Sequence, residues 1–131
     1  MRVDIVICAL TLSVGAMAAD ADPLAKFSDE DLIKIDFCFE KFCEAVAAKD
    51  VRLAMAFMEE VPRSMKTLDA KKPADQAAIL KQLEKFAGAQ IVSSQKLGFT
   101  RVGQVTFKTK AGKEDSQQMR NIGGRWKLTN L

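Results

Sequence analysis

The sequence predicts an α+β fold, with three N-terminal helices packed on a curved, mainly antiparallel sheet of about four strands. Apolar residues repeat at helical spacing as far as Phe86, and after Gly88 they alternate with polar residues in the manner of strands. The only tryptophan, Trp126, follows a Gly-Gly pair, which is typical of a tight hairpin turn. Helices followed by a meander of strands are typical of α+β domains with separate layers.

The beginning of the chain has the order of a secretory signal peptide. Arg2 supplies a positive charge, an apolar run covers residues 5–14, and the small residues at 15–18 suit an Ala-x-Ala cleavage site. The alternative is a retained membrane anchor, but the apolar run is shorter than the roughly 20 residues that a spanning helix needs. We therefore expect residues 1–18 to be removed, with no stable membrane anchor afterwards. Residues 19–131 then form a single domain in the periplasm or outside the cell.

Three helices are predicted in the first part of the mature chain. The first begins at Ser28, whose hydroxyl can cap the first turn, and it runs to about Ala48. The second covers residues 51–60 and has Asp50 as its cap. The third covers residues 73–86 and begins with a proline, which suits the first position of a helix.

Four strands are predicted in the second part. Phe107 alternates with Lys108 and Lys110, so we expect Phe107 to face the core and the two lysines to face outward. The same alternation places Trp126 on the inner face of the last strand, as an anchor of the core. The predicted strands cover residues 90–97, 104–110, 114–122 and 125–130.

Charge is divided between the two parts of the chain. Residues 19–80 contain 9 Lys+Arg and 13 Asp+Glu, a net charge of −4, whereas residues 81–131 contain 10 and 3, a net charge of +7. Either the sheet has a basic face that attracts an anionic ligand, or both parts have ordinary solvated faces. We expect no nucleic-acid partner, because no outward-facing aromatic residue lies among the basic strand positions. The residues of the candidate basic face are Lys108, Lys110, Arg125 and Lys127.

The residue types that are missing from the sequence limit its chemistry. The chain contains no His and no Tyr, which removes the usual general base near neutral pH and every His-containing nucleophile triad. Asp36, Glu40 and Glu44 recur at every fourth position of the first helix, where they either bind a divalent cation or form a solvated face. Asp36 also borders the apolar stripe, so it is a candidate for a buried acid. We favour the solvated face and predict no metal, no cofactor and no catalytic residue.

Cys38 and Cys43 are the two cysteines that remain after removal of the signal peptide. A disulfide is common in exported proteins. Five residues apart on a helix, however, the two cysteines point in different directions and lie roughly 7.5 Å apart along the axis. We therefore expect two small buried side chains with free thiols.

Two segments resemble the NTF2-like (cystatin-like α+β roll) superfamily. Residues 42–51, Phe-Cys-Glu-Ala-Val-Ala-Ala-Lys-Asp-Val, resemble the helix end and Lys-Asp turn that precede a short second helix in these domains. Residues 103–128, which include Gly-Gly-Arg-Trp-Lys-Leu, are similar to the closing strands of exported DUF4878-type domains. The resemblance implies a sheet that wraps around the helices and leaves a conical pocket. The pocket lining that it implies is Asp36, Phe39, Phe107 and Trp126. With about four strands, the pocket is either roomy or filled by Phe99, Phe107 and Trp126.

The resemblance implies several kinds of function. Enzymes of this superfamily that resemble ketosteroid isomerase use Asp with Tyr, or His with Asp, and this chain has no Tyr or His to match. We therefore expect a non-enzymatic domain that binds an unknown small molecule or protein through its pocket or basic sheet face. The alternatives are a small isomerase or lyase that uses a single buried carboxylate, and an inhibitor or immunity-type interaction protein. A homodimer is compatible with each of these.

The predicted signal peptide is testable by expression in a host with a general secretion pathway. We expect the exported fraction to contain a chain whose first residue is Ala19, because Ala16 and Ala18 supply the small side chains that signal peptidase requires. N-terminal sequencing and intact mass measure the cleavage site. The substitution Ala18→Phe should block processing, and an exported wild-type chain that keeps Met1 would contradict the prediction.

Overall fold

The computed structural model describes residues 22–60, 62, 65–97 and 101–131, and the predicted signal peptide lies outside these ranges. Helices come first and strands second, so the predicted α+β class is confirmed. The helices in the described ranges are α1 Asp29–Leu32, α2 Ile35–Ala47, α3 Val51–Ala56 and α4 Pro73–Gln82. Single turns of 3₁₀ helix cover Pro23–Lys26 and Glu84–Phe86. The strands are β1 Gln90–Lys96, β2 Val102–Lys108, β3 Glu114–Ile122 and β4 Arg125–Leu128.

The first predicted helix is two helices, so the described residues contain four helices and do not confirm the predicted three. Ser28 caps α1 as expected, with its Oγ accepting from the backbone N–H of Asp31 at 3.1 Å. At Lys34 the backbone becomes extended, and α2 starts at the next residue. Two backbone carbonyls at the break accept hydrogen bonds from side chains instead of from the backbone of a helix. The indole Nε1 of Trp126 donates to the Ile33 carbonyl at 3.0 Å, and the Cys38 thiol donates to the Leu32 carbonyl at 3.2 Å.

The second predicted helix is shorter than expected because its last residues pair with the sheet. α3 ends at Ala56, and the next residues lie beside β4. The backbone N–H of Leu128 donates to the Phe57 carbonyl at 2.7 Å, and the N–H of Glu59 donates to the Leu128 carbonyl at 2.8 Å. These two hydrogen bonds cover the outer edge of β4 at its last residue, Leu128.

The sheet is an antiparallel meander in the order β1-β2-β3-β4. The predicted turn between β3 and β4 is present, with Gly123 at φ +61° and Gly124 at φ +88°. Both values lie in the left-handed region, which glycine adopts without a steric penalty. The Asn121 side chain closes the turn by accepting from the N–H of Gly124 at 3.0 Å.

One face of the sheet packs on the helices, and the other face is exposed. Alternate residues of β2, β3 and β4 are buried, and the residues between them are mainly exposed. α2 crosses the inner face with its apolar side toward β1, β2 and β4. Within the described ranges, no helix has both the length and the apolar character needed to cross a bilayer.

Gly103 allows the helices to approach β2 closely. A Cβ at this position would lie 2.6 Å from Cδ1 of Ile35, 3.0 Å from the carbonyl oxygen of Gln95 and 3.3 Å from Cζ3 of Trp126. All three distances are shorter than ordinary van der Waals contact, so a larger residue here requires the Ile35 side chain, the Trp126 ring or the backbone of β1 to shift.

We expect the substitution Gly103→Ala to lower the free energy of unfolding by about 1–3 kcal/mol, the usual effect of overpacking a core. Urea denaturation followed by circular dichroism measures the change. Gln104→Ala is the matched control, because Gln104 is the exposed neighbour on the same strand and its loss should change stability by less than about 0.5 kcal/mol. Equal stability of Gly103→Ala and the wild type would contradict the close packing.

Candidate functional site

Three of the four residues predicted to line a pocket are in the core. Phe39 and Phe107 are fully buried, and their ring centroids lie 5.1 Å apart. Phe86 packs against both rings, at 6.0 Å from Phe39 and 5.4 Å from Phe107. Trp126 is 3% exposed, and its ring packs on the inner face of the sheet beside Gly103 of β2. These three residues therefore contribute packed rings to the core, and Phe99, the other aromatic residue of the predicted pocket, lies outside the described residues.

Asp36, the fourth predicted residue, is exposed near the start of α2. Among described residues it lines an open cleft of about 480 Å³, between the start of α2 and the inner side of β1. The structure therefore separates Asp36 from the buried rings. The residues that line this cleft, which we call the β1 cleft, are Ile33, Lys34, Ile35, Asp36, Phe37, Ser94 and Lys96.

The four residues of the predicted basic face do not form a single patch. Lys108 pairs with Glu114 at one end of β3, and Arg125 pairs with Ile122 at the other end. The two ends are about 27 Å apart, given a rise of about 3.4 Å per residue. Lys110 lies in the turn after β2, outside the strand in which it was predicted. The basic residues thus occupy two separate ends of the sheet.

Two cations at the β3–β4 end are already paired with carboxylates. The Arg125 guanidinium contacts the Asp22 carboxylate, and Nη1 of Arg120 lies 3.0 Å from Oε2 of Glu59. The hydrogen bond from Arg125 lowers the pKa of Asp22 below its usual value, and a second hydrogen bond from the N–H of Leu24 adds to this effect. Because these acids compensate the arginines, an incoming anion meets a weaker positive field at this end.

The sheet has one covered edge and one open edge. The residues after α3 cover β4, whereas β1 pairs with β2 on one side and, in the described part of the chain, with no strand on the other. The N–H of Leu97 donates to the Val102 carbonyl at 2.9 Å. In an antiparallel pair such bonded positions alternate with positions that point away from the partner strand. The backbone N–H and C=O groups of Ser94 and Lys96 therefore point toward the open edge.

Apolar and charged side chains surround this open backbone. Ile33 is 52% exposed, and Phe37 is half-buried with Nζ of Lys41 at 5.5 Å from its ring centroid. Lys34 lies 3.6 Å from Asp31 on a largely exposed surface, where an ion pair is weak. The β1 cleft thus offers hydrogen-bonding backbone, apolar contact and two lysines against one aspartate. This combination suits binding of an extended peptide segment.

Sequence reasoning missed most of this cleft. The sequence predicts Ile33 to lie inside a continuous helix and predicts no role for Ser94 or Lys96. The available signal was the polar composition of β1, Gln-Ile-Val-Ser-Ser-Gln-Lys, which is typical of an edge strand that carries charge to limit pairing. Glu59 was also missed. Its Oε1 is buried and finds no hydrogen-bond partner among the described atoms, whereas its Oε2 accepts from Arg120.

The two cysteines are buried side chains with raised thiol pKa values. Cys38 and Cys43 are buried and free, as the helical spacing predicted. Burial raises the pKa of Cys38 to about 11 and that of Cys43 to about 12, with Glu40 and Glu44 adding to the rise at Cys43. Within the ranges that the structure covers, no three His, Cys, Asp or Glu residues lie close enough together to hold a metal ion.

A smaller cleft of about 300 Å³ lies between the end of α4 and β3. Leu83 and Phe86 are among its lining residues, together with Pro62, Met65 and the buried Gln117. The Gln117 amide nitrogen is already used, since it donates to the carbonyls of Gln118 and Thr129. This cleft therefore has fewer groups ready for recognition than the β1 cleft has.

Comparisons of the chain with protein-family models, with curated proteins and with solved structures found no match.

The two thiols should react slowly in the folded protein. At pH 8 their raised pKa values leave a thiolate fraction on the order of one in a thousand or less, and burial blocks access. We expect iodoacetamide to modify Cys38 and Cys43 at least about 100-fold more slowly in the native state than in urea, as measured by mass spectrometry. A gain of two hydrogens on reduction would instead reveal a disulfide.

Proposed function

We propose that this protein is a small exported domain that binds a ligand or partner protein and performs no chemistry of its own. The observation that supports the proposal is the filled interior, in which Phe39, Phe86 and Phe107 pack ring against ring. Such rings contribute packing and apolar burial, and they leave recognition to the surface. The surface feature best suited to recognition is the β1 cleft.

The proposal includes a fold of the NTF2-like type in which side chains fill the conical pocket. Support comes from the antiparallel four-stranded sheet, from the helices on its inner face and from the Gly-Gly turn before Trp126. The Lys-Asp turn between α2 and α3 adds to it, because Lys49 adopts φ +62° and Asp50 caps α3 by accepting from the N–H of Leu53 at 3.2 Å. A fold of this type alone does not define an activity.

An isomerase or lyase with one buried carboxylate fits the geometry less well. Asp36, the acid suggested for that role, is exposed, and catalysis by a single carboxylate depends on removing it from water. Glu59 has a buried oxygen, but its carboxylate is tied to Arg120. We therefore favour binding over catalysis.

The β1 cleft is a better candidate surface than the basic face. The predicted basic residues lie at two ends of the sheet, and Arg125 is paired with Asp22. In the cleft, Ile33 is an exposed apolar side chain next to open backbone. Exposed apolar groups beside unpaired polar groups are typical of interaction sites.

The binding function is testable with two matched surface variants. Ile33 lies in the β1 cleft, and Ile122 is an exposed isoleucine, 37% accessible, at the far end of β3. We expect the immobilised full-length chain to recover a partner from an exported fraction at a stoichiometric ratio. Recovery should fall at least about tenfold with Ile33→Glu, because a charge replaces the apolar contact, and should persist with Ile122→Glu. Quantitative mass spectrometry of the bound material measures both.

Two outcomes would count against this proposal. Turnover of a small molecule that is lost with Asp36→Asn would favour the isomerase or lyase. Equal loss of the partner with Ile33→Glu and Ile122→Glu would place the interaction outside the cleft. Circular dichroism of each variant, compared with that of the wild type, shows whether the substitution has changed the fold.

A further inference from the structure

We propose that the β1 cleft binds an extended segment of a partner protein, which adds to the sheet as a short strand beside β1. The segment carries an acidic side chain that is held near Lys34 and Lys96, and an apolar side chain that contacts Ile33. This inference rests on the proposed binding function, and it specifies the mode of binding and the chemistry of the partner.

The backbone of β1 supplies the first part of the argument. Ser94 and Lys96 each direct an N–H and a C=O group to the open edge, so four hydrogen-bonding groups are available there. They lie two residues apart, a spacing of about 6.7 Å that matches the repeat of a neighbouring strand. The side chains of the same two residues line the cleft. A segment that pairs here therefore places alternate side chains over the cleft.

The opposite edge of the sheet already uses this kind of pairing. Residues 57–59 belong to no strand, yet they pair with Leu128 through two backbone hydrogen bonds of 2.7 and 2.8 Å. A pairing of only three residues is therefore sufficient to cover the outward backbone groups of Leu128. In the described part of the chain, the edge of β1 has no equivalent cover, which leaves it to a segment from elsewhere.

The irregular part of β1 argues for a short segment and against a second copy of this chain. The register with β2 shifts between Ile91 and Ser93, and Val92 is 51% exposed there. Such a bulge twists an edge and interrupts long pairing. The regular edge is thus limited to Ser93–Lys96. Lys96 on the inner side further disfavours edge-to-edge pairing of identical strands, because a lysine at an edge must be compensated by the partner.

The net positive charge of the cleft indicates that the bound segment carries an acidic side chain. Lys34 and Lys96 outnumber Asp36 among its lining residues, and the contact between Lys34 and Asp31 is exposed and 3.6 Å long. An acidic side chain from the segment replaces this weak contact at little cost and adds attraction to Lys96. Ile33, 52% exposed, provides the apolar contact. When a peptide adds to a sheet as a strand, the main-chain hydrogen bonds provide affinity, and contacts with alternate side chains provide specificity.

The test uses random peptides displayed on phage as the probe and the full-length chain as the target. We expect the wild type to enrich extended, proline-free peptides that combine Asp or Glu with a nearby apolar residue. A synthetic copy of the enriched peptide should slow hydrogen exchange at the amides of Ser94 and Lys96.

The variant Ser94→Pro removes the outward N–H and keeps the bonds to β2, since proline is tolerated on an edge strand when its nitrogen faces outward. We expect it to bind the peptide about tenfold more weakly, whereas Ile122→Glu, an exposed position at the far end of β3, should bind like the wild type. Lys96→Glu should weaken binding by a similar factor without altering the backbone, and it serves as the test if Ser94→Pro unfolds.

Several results would overturn the strand-addition mode. The first is that the selection enriches no peptide. The second is that Ser94→Pro and Lys96→Glu both bind the peptide with the affinity of the wild type. The third is that the wild type forms a dimer in size-exclusion chromatography and that Ser94→Pro dissociates this dimer. In each case the loss of a partner with Ile33→Glu remains a separate measurement, so failure of the binding mode is distinguishable from failure of the binding function.

Discussion

The hydrogen bond from the Trp126 indole to the Ile33 carbonyl is the interaction on which the rest of this structure depends. It links the last strand to the break between α1 and α2, and it satisfies a carbonyl that a continuous helix would have used internally. Gly103 leaves room for it, because Trp126 and Ile35 both pack where a side chain on β2 would stand. The break turns Ile33 outward and directs the start of α2 along β1. The β1 cleft is a consequence of this arrangement.

The interior and the surface have different roles. The core is aromatic and aliphatic, and its cysteines are held as protonated thiols by burial. The buried rings of Phe39, Phe86 and Phe107 pack against one another, and the larger described clefts lie at the surface. This distribution is the physical basis for proposing recognition without catalysis. It also explains why an NTF2-like resemblance by itself does not define an activity here, since the pocket of that fold is only as large as its side chains allow.

The two edges of the sheet show how the chain manages unpaired backbone. At β4 the chain supplies its own cover, residues 57–59, at the expense of the last turn of α3. At β1 it instead uses a bulge at Val92 and a lysine on the inner side, devices that limit pairing without abolishing it. In the proposed mode of binding, such an edge accepts only a segment of suitable length and charge.

The sequence by itself determined the α+β class, the four strands to within two residues at each end, the Gly123-Gly124 turn, the caps at Ser28 and Asp50 and the free thiols. Each of these follows from local preferences, such as alternation, capping hydroxyls and glycine torsion angles. The tertiary structure alone decided the break at Lys34, the shortened α3, the exposure of Asp36 and the separation of the basic residues. These depend on contacts between distant parts of the chain, Trp126 with Ile33 and Leu128 with Phe57. Such contacts compete with local helix formation and override it where a buried donor needs an acceptor, and no pattern within a short window of sequence records them.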